Sequence, residues 1–103
     1  MLYAICHMLF ATMFRYKITV TGAVQGVGYR YFVVIEANRL NLVGCVKNIS
    51  NGDVEIIAEG KKNILESFVG IVSTKHKYAT INDIKVSKTE IAKNEFSDFN
   101  VTF

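Results

Sequence analysis

The chain contains no proline, so none of its turns can depend on a cis X–Pro bond. Cysteine is also scarce, because only Cys6 and Cys45 are present, with neither a CxxC pair nor a His/Cys spacing typical of a metal site. No disulfide framework is therefore indicated. We expect both thiols to be reduced in a cytoplasmic protein, with Cys45 acting as a small core residue within an apolar run.

Charge of either sign is sparse as well. Twelve Lys and Arg face nine Asp and Glu, giving a net charge of +3, and the basic residues are scattered apart from the cluster Lys75, His76 and Lys77. Nucleic-acid-binding domains usually carry a denser basic stripe, so the composition favours small anions over polymers as ligands. With 103 residues, half of them hydrophobic, the chain is long enough for one domain with its own core, and disorder is excluded.

The first fourteen residues carry no charged side chain apart from His7 and are almost wholly apolar. They lack the early basic residue and the small-residue cleavage site of a secretory signal, and they are shorter than the roughly 20 apolar residues that span a bilayer. Three interpretations stay open: an extra strand or packing arm, an upstream extension with an alternative start at Met13, or a weak membrane-associating tail. We treat residues 1–14 as an apolar extension and residues 15–103 as the domain.

Hydrophobic periodicity predicts the order β-α-β-β-α-β followed by a short closing strand. The predicted elements are a strand at 15–21, a helix at 29–40 ending near Asn41, strands at 42–48 and 53–59, a helix at 61–73, a strand at 80–89 with an irregularity at Asn82 and Asp83, and a final strand through Phe99, Val101 and Phe103. The Asn51-Gly52 pair predicts a hairpin between the second and third strands. This order indicates an α+β, ferredoxin-like sandwich, in which two helices cover one face of an antiparallel sheet.

Three of the seven glycines lie within residues 22–28, between the first strand and the first helix. Glycine lets backbone amides approach a ligand, and a helix N-terminus presents unpaired N–H groups to an anion. Arg30 stands in the first helical turn, where a cation opposes the helix dipole unless an anion binds beside it. The loop matches neither a Walker motif nor a dinucleotide fingerprint, because no Lys-Ser/Thr follows and Tyr31 occupies the third glycine position. A tight turn with a solvated arginine is the simpler alternative.

A second polar residue is expected near this loop. We expect the second strand to lie beside the first, which would bring Asn48, at the end of that strand, close to the glycines. Taken alone, Asn48 could cap the following turn through its side-chain amide. The same amide could instead orient a water molecule, since it offers both a hydrogen-bond acceptor and a donor.

Two segments of the chain resemble the signatures of the acylphosphatase family. The first, Gly22-Ala23-Val24-Gln25-Gly26-Val27-Gly28-Tyr29-Arg30, is similar to G-x-V-Q-G-V-x-[FY]-R. The second, Gly44-Cys45-Val46-Lys47-Asn48 followed by Asn51-Gly52-Asp53-Val54-Glu55, is similar to G-x-V-x-N-x-x-D-G-x-V-E. Asn51 replaces the usual aspartate, Cys45 replaces a common aromatic residue, and a Gly-Pro often found after the second helix is absent. The resemblance covers about residues 15–103.

The resemblance implies hydrolysis of the carboxyl–phosphate bond of acyl phosphates, with phosphate as a product and without a metal, cofactor or covalent intermediate. Arg30 would bind the phosphoryl group together with backbone amides of the loop, and Asn48 would orient the attacking water. The implied loop residues are Val24, Gln25, Gly26, Val27, Gly28 and Tyr29. We expect a monomer that acts on a small molecule, without nucleic-acid binding or stable membrane insertion. His7 and His76 lie outside both signatures and are interpreted as surface or packing residues.

Two alternatives belong to other functional classes. Ferredoxin-like folds also serve as non-catalytic modules that bind phosphate or metabolites, although an RNA-recognition module would need an aromatic-rich strand that this chain lacks. Acylphosphatase-like domains also occur within larger maturation enzymes that use carbamoyl phosphate. No zinc-finger cysteines follow Phe103 in this sequence, so we expect a stand-alone enzyme.

Overall fold

A computed structural model of the chain describes residues 13–103. Most of the predicted extension, with His7 and Cys6, lies outside the described residues, whereas Met13 and Phe14 belong to the first strand. The elements are β1 (Met13–Ala23), α1 (Tyr29–Arg39), β2 (Val43–Asn48), β3 (Val54–Lys61), α2 (Lys62–Thr74), β4 (Thr80–Ile91) and β5 (Phe99–Val101). This is the predicted order, with β1, β3 and β4 each extending further than the alternation indicated.

The five strands form one sheet in the order β4-β1-β3-β2-β5. The β1–β4, β1–β3 and β2–β3 pairs are antiparallel, whereas β5 runs parallel to β2, so the sheet is mixed. The ferredoxin-like arrangement is confirmed, but the expectation that β2 lies beside β1 is wrong. The hairpin at Asn51 and Gly52 folds β3 back onto β2, and β3 then occupies the place between β1 and β2.

One face of the sheet carries the core. Alternate residues of each central strand are buried beneath the helices, as the period-two patterns predicted. From the sheet these are Tyr16, Ile18, Val20, Val46, Val54, Ile56 and Ala58, and from α2 they are Leu65, Phe68 and Val72. Helix α1 packs on the same face through Val33 and Ala37, which are completely buried, whereas Phe32 is only partly buried and Ile35 is exposed. The buried stripe of α1 therefore runs through Tyr29, Val33, Glu36 and Ala37.

Helix α1 ends in a Schellman motif. The amide of Leu42 donates to the carbonyl of Ala37 at 2.9 Å, and the amide of Asn41 donates to the carbonyl of Asn38 at 3.1 Å. Asn41 has a φ of 58°, the left-handed conformation that such an ending requires. The predicted end of the helix near Asn41 is confirmed.

An irregularity interrupts the β1–β4 pairing where the glycine loop begins. Thr21 pairs with Asp83 and Gly22 pairs with Ile81, so Asn82 has no partner on β1. This β-bulge matches the irregularity predicted at Asn82 and Asp83. A bulge bends the strands and raises their twist, and here it does so immediately before the chain leaves β1. Within residues 13–103, neither helix combines the length and apolarity needed to cross a bilayer.

Candidate active site

The glycine loop joins the end of β1 to the start of α1. Gly26 and Gly28 have φ values of +79° and +76°, a region that side-chain-bearing residues rarely adopt. Gly28 is the N-cap of α1, and no side chain of the described residues caps this helix end. A Cβ atom at either glycine would meet no atom within 4 Å. The loop therefore presents its backbone, with the uncapped first turn of α1, to open space.

Arg30 lies in that first turn and is half-buried. Among residues 13–103, no carboxylate lies within ion-pair distance of its guanidinium. The ring of Phe103 lies nearby, with its centroid 5.6 Å from Arg30 Cζ. Helix α1 has no acidic residue in its first turn either. The positive charge of Arg30 and that of the helix N-terminus thus add at one place, which suits an anion.

The loop and Arg30 border a cleft of about 290 Å³. It is lined by Val24, Gly26, Gly28, Tyr29, Arg30, Tyr31, Val101 and Phe103. Five of the residues that the sequence singled out are therefore brought together. Gln25, Val27 and Asn48 are not part of this lining, while Tyr31, Val101 and Phe103 line the cleft without having been predicted as site residues.

Gln25 does not line the cleft, and its side chain contacts the β2–β3 turn instead. Its Nε2 donates to the carbonyl oxygens of Ile49, at 3.0 Å, and Asp53, at 2.9 Å. These two carbonyls flank the β2–β3 turn, and the amide of Ile49 also donates to the carbonyl of Asp53 at 2.9 Å. The glycine loop is consequently attached to the hairpin beside Asn48. The sequence did not predict this contact, because a glutamine in a glycine-rich loop is only a weak indication of one.

Asn48 ends β2, opposite Val54 of β3. Its side chain projects from the same face of the sheet as that of Val46, since strand residues two apart share a face. The Oδ1 atom of Asn48 is buried and has no hydrogen-bond donor among the described residues. An unsatisfied buried acceptor costs about 1–3 kcal/mol, and such groups in native proteins call for an explanation.

The end of the chain passes the same end of the sheet. Val101 pairs with Val46, and the amide of Thr102 donates to the carbonyl of Val46 at 2.9 Å. Because β5 runs parallel to β2, it carries Phe103 toward the end of β2 where Asn48 lies. The strand predicted through Phe103 stops at Val101, and Phe103 projects into solvent beside Arg30.

Tyr29 anchors the start of α1. Its phenol is buried and donates to the carbonyl of Val72 in α2 at 2.7 Å, and this burial raises the pKa of the phenol. The ring also lies edge-on to His76, with centroids 5.6 Å apart. His76 Nδ1 accepts hydrogen bonds from the backbone amides of Tyr78 and Ala79, so of the two roles predicted for His76, surface or packing, the structure shows packing. The burial of Tyr29 was not predicted from the sequence. The four-residue spacing between Tyr29 and Val33, which places both on one face of the helix, was an available indication.

Comparisons with known proteins identify one family for this chain. The family model for acylphosphatase matches residues 16–101. The acylphosphatase of Bacillus subtilis (strain 168) is 48% identical over 77 residues, covering 75% of this chain and 85% of that protein. The acylphosphatase of Bacillus licheniformis is 40% identical over 91 residues, covering 88% of this chain and all of that protein.

Solved structures give the same result. The crystal structure of acylphosphatase from Bacillus subtilis has a TM-score of 0.83 at 41% identity, covering 87% of this chain and 99% of that one. Full-length HypF, solved in a phosphate- and nucleotide-bound form, matches with a TM-score of 0.80 at 32% identity, and the match covers 88% of this chain but 12% of HypF. The fold, the glycine loop and these matches together show that the chain belongs to the acylphosphatase family, whose members are hydrolases that act on acid anhydrides.

Proposed function

We propose that this protein hydrolyses the carboxyl–phosphate bond of acyl phosphates, with Arg30 and loop amides binding the phosphoryl group and Asn48 orienting the water. The observation that carries the proposal is the half-buried guanidinium of Arg30. Among residues 13–103 it has no carboxylate partner, and it lies at an uncapped helix N-terminus beside an open glycine loop.

Binding of the phosphoryl group follows from the charges at this site. The phosphoryl oxygens carry the negative charge of the substrate, and a guanidinium can donate two parallel hydrogen bonds to them. The amides of residues 24–29 supply further donors without any rearrangement of side chains. In a loose phosphoryl-transfer transition state the charge stays on the equatorial oxygens, so the same groups stabilise it there.

The water needs a group that fixes its direction of attack. Asn48 Oδ1 is a buried acceptor without a donor among the described residues, and a water O–H would satisfy it. The water oxygen forms the new bond to phosphorus as the bond between phosphorus and the acyl oxygen breaks. The electron pair of the broken bond leaves on the carboxylate, and the water proton passes to the phosphate product. A carboxylate is a good leaving group, so the step requires no strong general acid.

We also propose that the protein acts as a monomer in the cytoplasm. Within residues 13–103 Cys45 forms no disulfide, which is compatible with a reducing compartment. It is half-buried and lies outside the buried core, so the expectation that it is a core residue is wrong. Size-exclusion chromatography with light scattering measures the oligomeric state directly.

The main test is hydrolysis of benzoyl phosphate by the wild type and by Arg30→Ala. We expect turnover in the wild type, and a loss of roughly 10³-fold or more in the variant, because a transition-state cation is removed. Arg39→Ala is the matched control, since Arg39 lies in the last turn of the same helix, is exposed and contacts Glu36. Near-normal turnover in folded Arg30→Ala would contradict the assigned role. A wild type that binds inorganic phosphate without hydrolysing benzoyl phosphate would instead be a non-catalytic binding module.

A further inference from the structure

The wall of the cleft beyond the glycine loop is aromatic and apolar. Two of its members, Tyr31 and Phe103, are unusually open for large rings, with relative exposures of 71% and 104%. Neither belongs to the buried core. The smaller side chains of Val24 and Val101 complete the apolar lining. Rings that contribute so little to the core, next to a candidate anion site, are available to contact a ligand.

Both of these rings belong to residues that lie next to Arg30. Tyr31 follows Arg30 in the first turn of α1, and the ring of Phe103 lies 5.6 Å from Arg30 Cζ. The aromatic wall therefore lies directly beside the Arg30 guanidinium. This wall lies within reach of the acyl group of a substrate whose phosphoryl group is held by Arg30 and the loop.

From this arrangement we infer that Tyr31 and Phe103 are specificity-determining residues that favour acyl phosphates with aromatic or bulky apolar acyl groups over acetyl phosphate. The inference rests on the proposed function and names its substrate class. Arg30 is the one charged residue among those that line the cleft. A carboxylate on the acyl group would find, among the side chains that line the cleft, only Arg30 as a partner of opposite sign, and the phosphoryl group already occupies Arg30. An ammonium would find no side chain of opposite sign there. The cleft therefore disfavours acyl chains that carry an additional carboxylate or ammonium.

A purely structural role for Phe103 makes a different prediction. If its ring served only to hold the Arg30 guanidinium by a cation–π contact, its loss would weaken phosphoryl binding for every substrate equally. A specificity role instead changes the ratio between substrates that differ only in the acyl group.

The experiment compares kcat/KM for benzoyl phosphate and acetyl phosphate in the wild type, Tyr31→Ala, Phe103→Ala and the double variant. We expect the wild type to prefer benzoyl phosphate, and each single change to lower the benzoyl-to-acetyl ratio by about three- to ten-fold, the size of one aromatic contact. Tyr31→Phe should keep the ratio. Tyr78→Ala is the matched control, because Tyr78 is 68% exposed and lies outside the cleft.

A second measurement does not require turnover. Titration calorimetry compares binding of benzoylphosphonate and acetylphosphonate, which differ only in the acyl group, to the wild type and to both single variants. We expect the benzoyl compound to bind more tightly and to lose that advantage in the variants. A wild type that shows this preference without hydrolysing either acyl phosphate would overturn the proposed function and keep the inference. Equal losses for both compounds, or a ratio that none of the variants changes, would overturn the inference even in an active enzyme.

Discussion

Each of the two ends of the sheet buries polar side-chain oxygen atoms, those of Glu59 at one end and Oδ1 of Asn48 at the other, and their hydrogen bonding is opposite. Because β2 and β3 are antiparallel, Glu59 lies opposite Val43 at one end, and Asn48 lies opposite Val54 at the other. Glu59 Oε2 accepts Arg15 Nε at 2.9 Å and Nη2 at 2.7 Å. Its Oε1 accepts two backbone amides, those of Glu95 at 2.9 Å and Phe96 at 3.2 Å. Asn48 Oδ1 accepts no hydrogen bond from the described residues.

This difference separates a structural polar group from a candidate functional one. Every interaction of Glu59 ends within the protein, where it fixes Arg15 and the segment that leads into β5. Hydrogen bonding to Glu59 also raises the pKa of the Arg15 guanidinium above its ordinary value. Asn48 Oδ1 has no donor among residues 13–103, so it is the candidate acceptor for the water of the proposed function. A buried polar side chain is thus informative mainly through what it leaves unsatisfied.

Within this comparison of the two ends of the sheet, the largest effect is expected at Asn48. We expect Asn48→Ala to lower turnover of benzoyl phosphate by about 10²- to 10³-fold, as for loss of one positioning hydrogen bond in an active site. Its inhibition by inorganic phosphate should stay mostly unchanged, and its free energy of unfolding should change by less than about 1 kcal/mol, because no hydrogen bond from residues 13–103 to Oδ1 is lost.

Steady-state kinetics with phosphate as inhibitor, together with urea unfolding, measures all three quantities. Asn38→Ala is the control, since Asn38 is exposed on α1. A variant that keeps its turnover but unfolds more readily would place Asn48 with Glu59, as a structural group.

The opposite result is expected at Glu59. Glu59→Ala leaves two backbone amides without their acceptor and Arg15 with only the exposed Glu95 as a carboxylate partner among residues 13–103, so we expect the free energy of unfolding to fall by about 3 kcal/mol. Turnover per folded molecule should be unchanged. Glu55→Ala is the matched control on the same strand, because Glu55 forms only longer ion pairs, with Lys17 at 3.6 Å and Lys47 at 3.9 Å.

Such partly exposed pairs contribute less than about 1 kcal/mol, so Glu55→Ala should unfold almost like the wild type. Denaturant unfolding followed by circular dichroism gives both values. The comparison between the two ends would fail if Glu59→Ala lost activity while keeping its stability.

A smaller, pH-dependent effect is expected at the Glu59 end of the sheet. Burial, followed by the hydrogen bond to Glu66, raises the pKa of Tyr16 to about 12. Because the folded-state pKa of Tyr16 lies above the unfolded value near 10, the neutral phenol contributes fully to the free energy of unfolding below pH 10. This contribution is lost as the pH rises toward 12. We expect Tyr16→Phe to flatten the fall in stability over this window. Unfolding curves collected from pH 9 to pH 12 test this, and equal slopes for both proteins would count against it.

The fold could be predicted where one local signal determined each element. Period-two alternation located the central strands, Asn51-Gly52 located the hairpin, and Asn41 marked the end of α1. The position of β2 relative to β1 could not be predicted in this way, because strand order depends on which edges pair after the hairpin closes. The expectation from connectivity alone placed β2 one strand too close to β1.

The candidate site divides along the same line. Residues whose backbone or charge carries the argument, such as Gly28 and Arg30, are visible in the sequence. Contacts that side chains make across the fold are not visible in the sequence. Gln25 is an example, because its acceptors lie in the β2–β3 hairpin. The burial of Glu59 was hidden for a similar reason, since the amides that cover it belong to an irregular segment without a hydrophobic period.

The side chain of Gln25 has a consequence for how substrate is received. Its two acceptors lie 24 and 28 residues further along the chain, so one amide group joins the two halves of the candidate site. Under the proposed function, this contact helps to set the separation between the glycine loop and Asn48 when the protein folds, before any ligand arrives. The entropic cost of ordering the glycine loop beside Asn48 is then part of folding and not of ligand binding. Under the proposed function, more of the binding energy remains to stabilise the transition state.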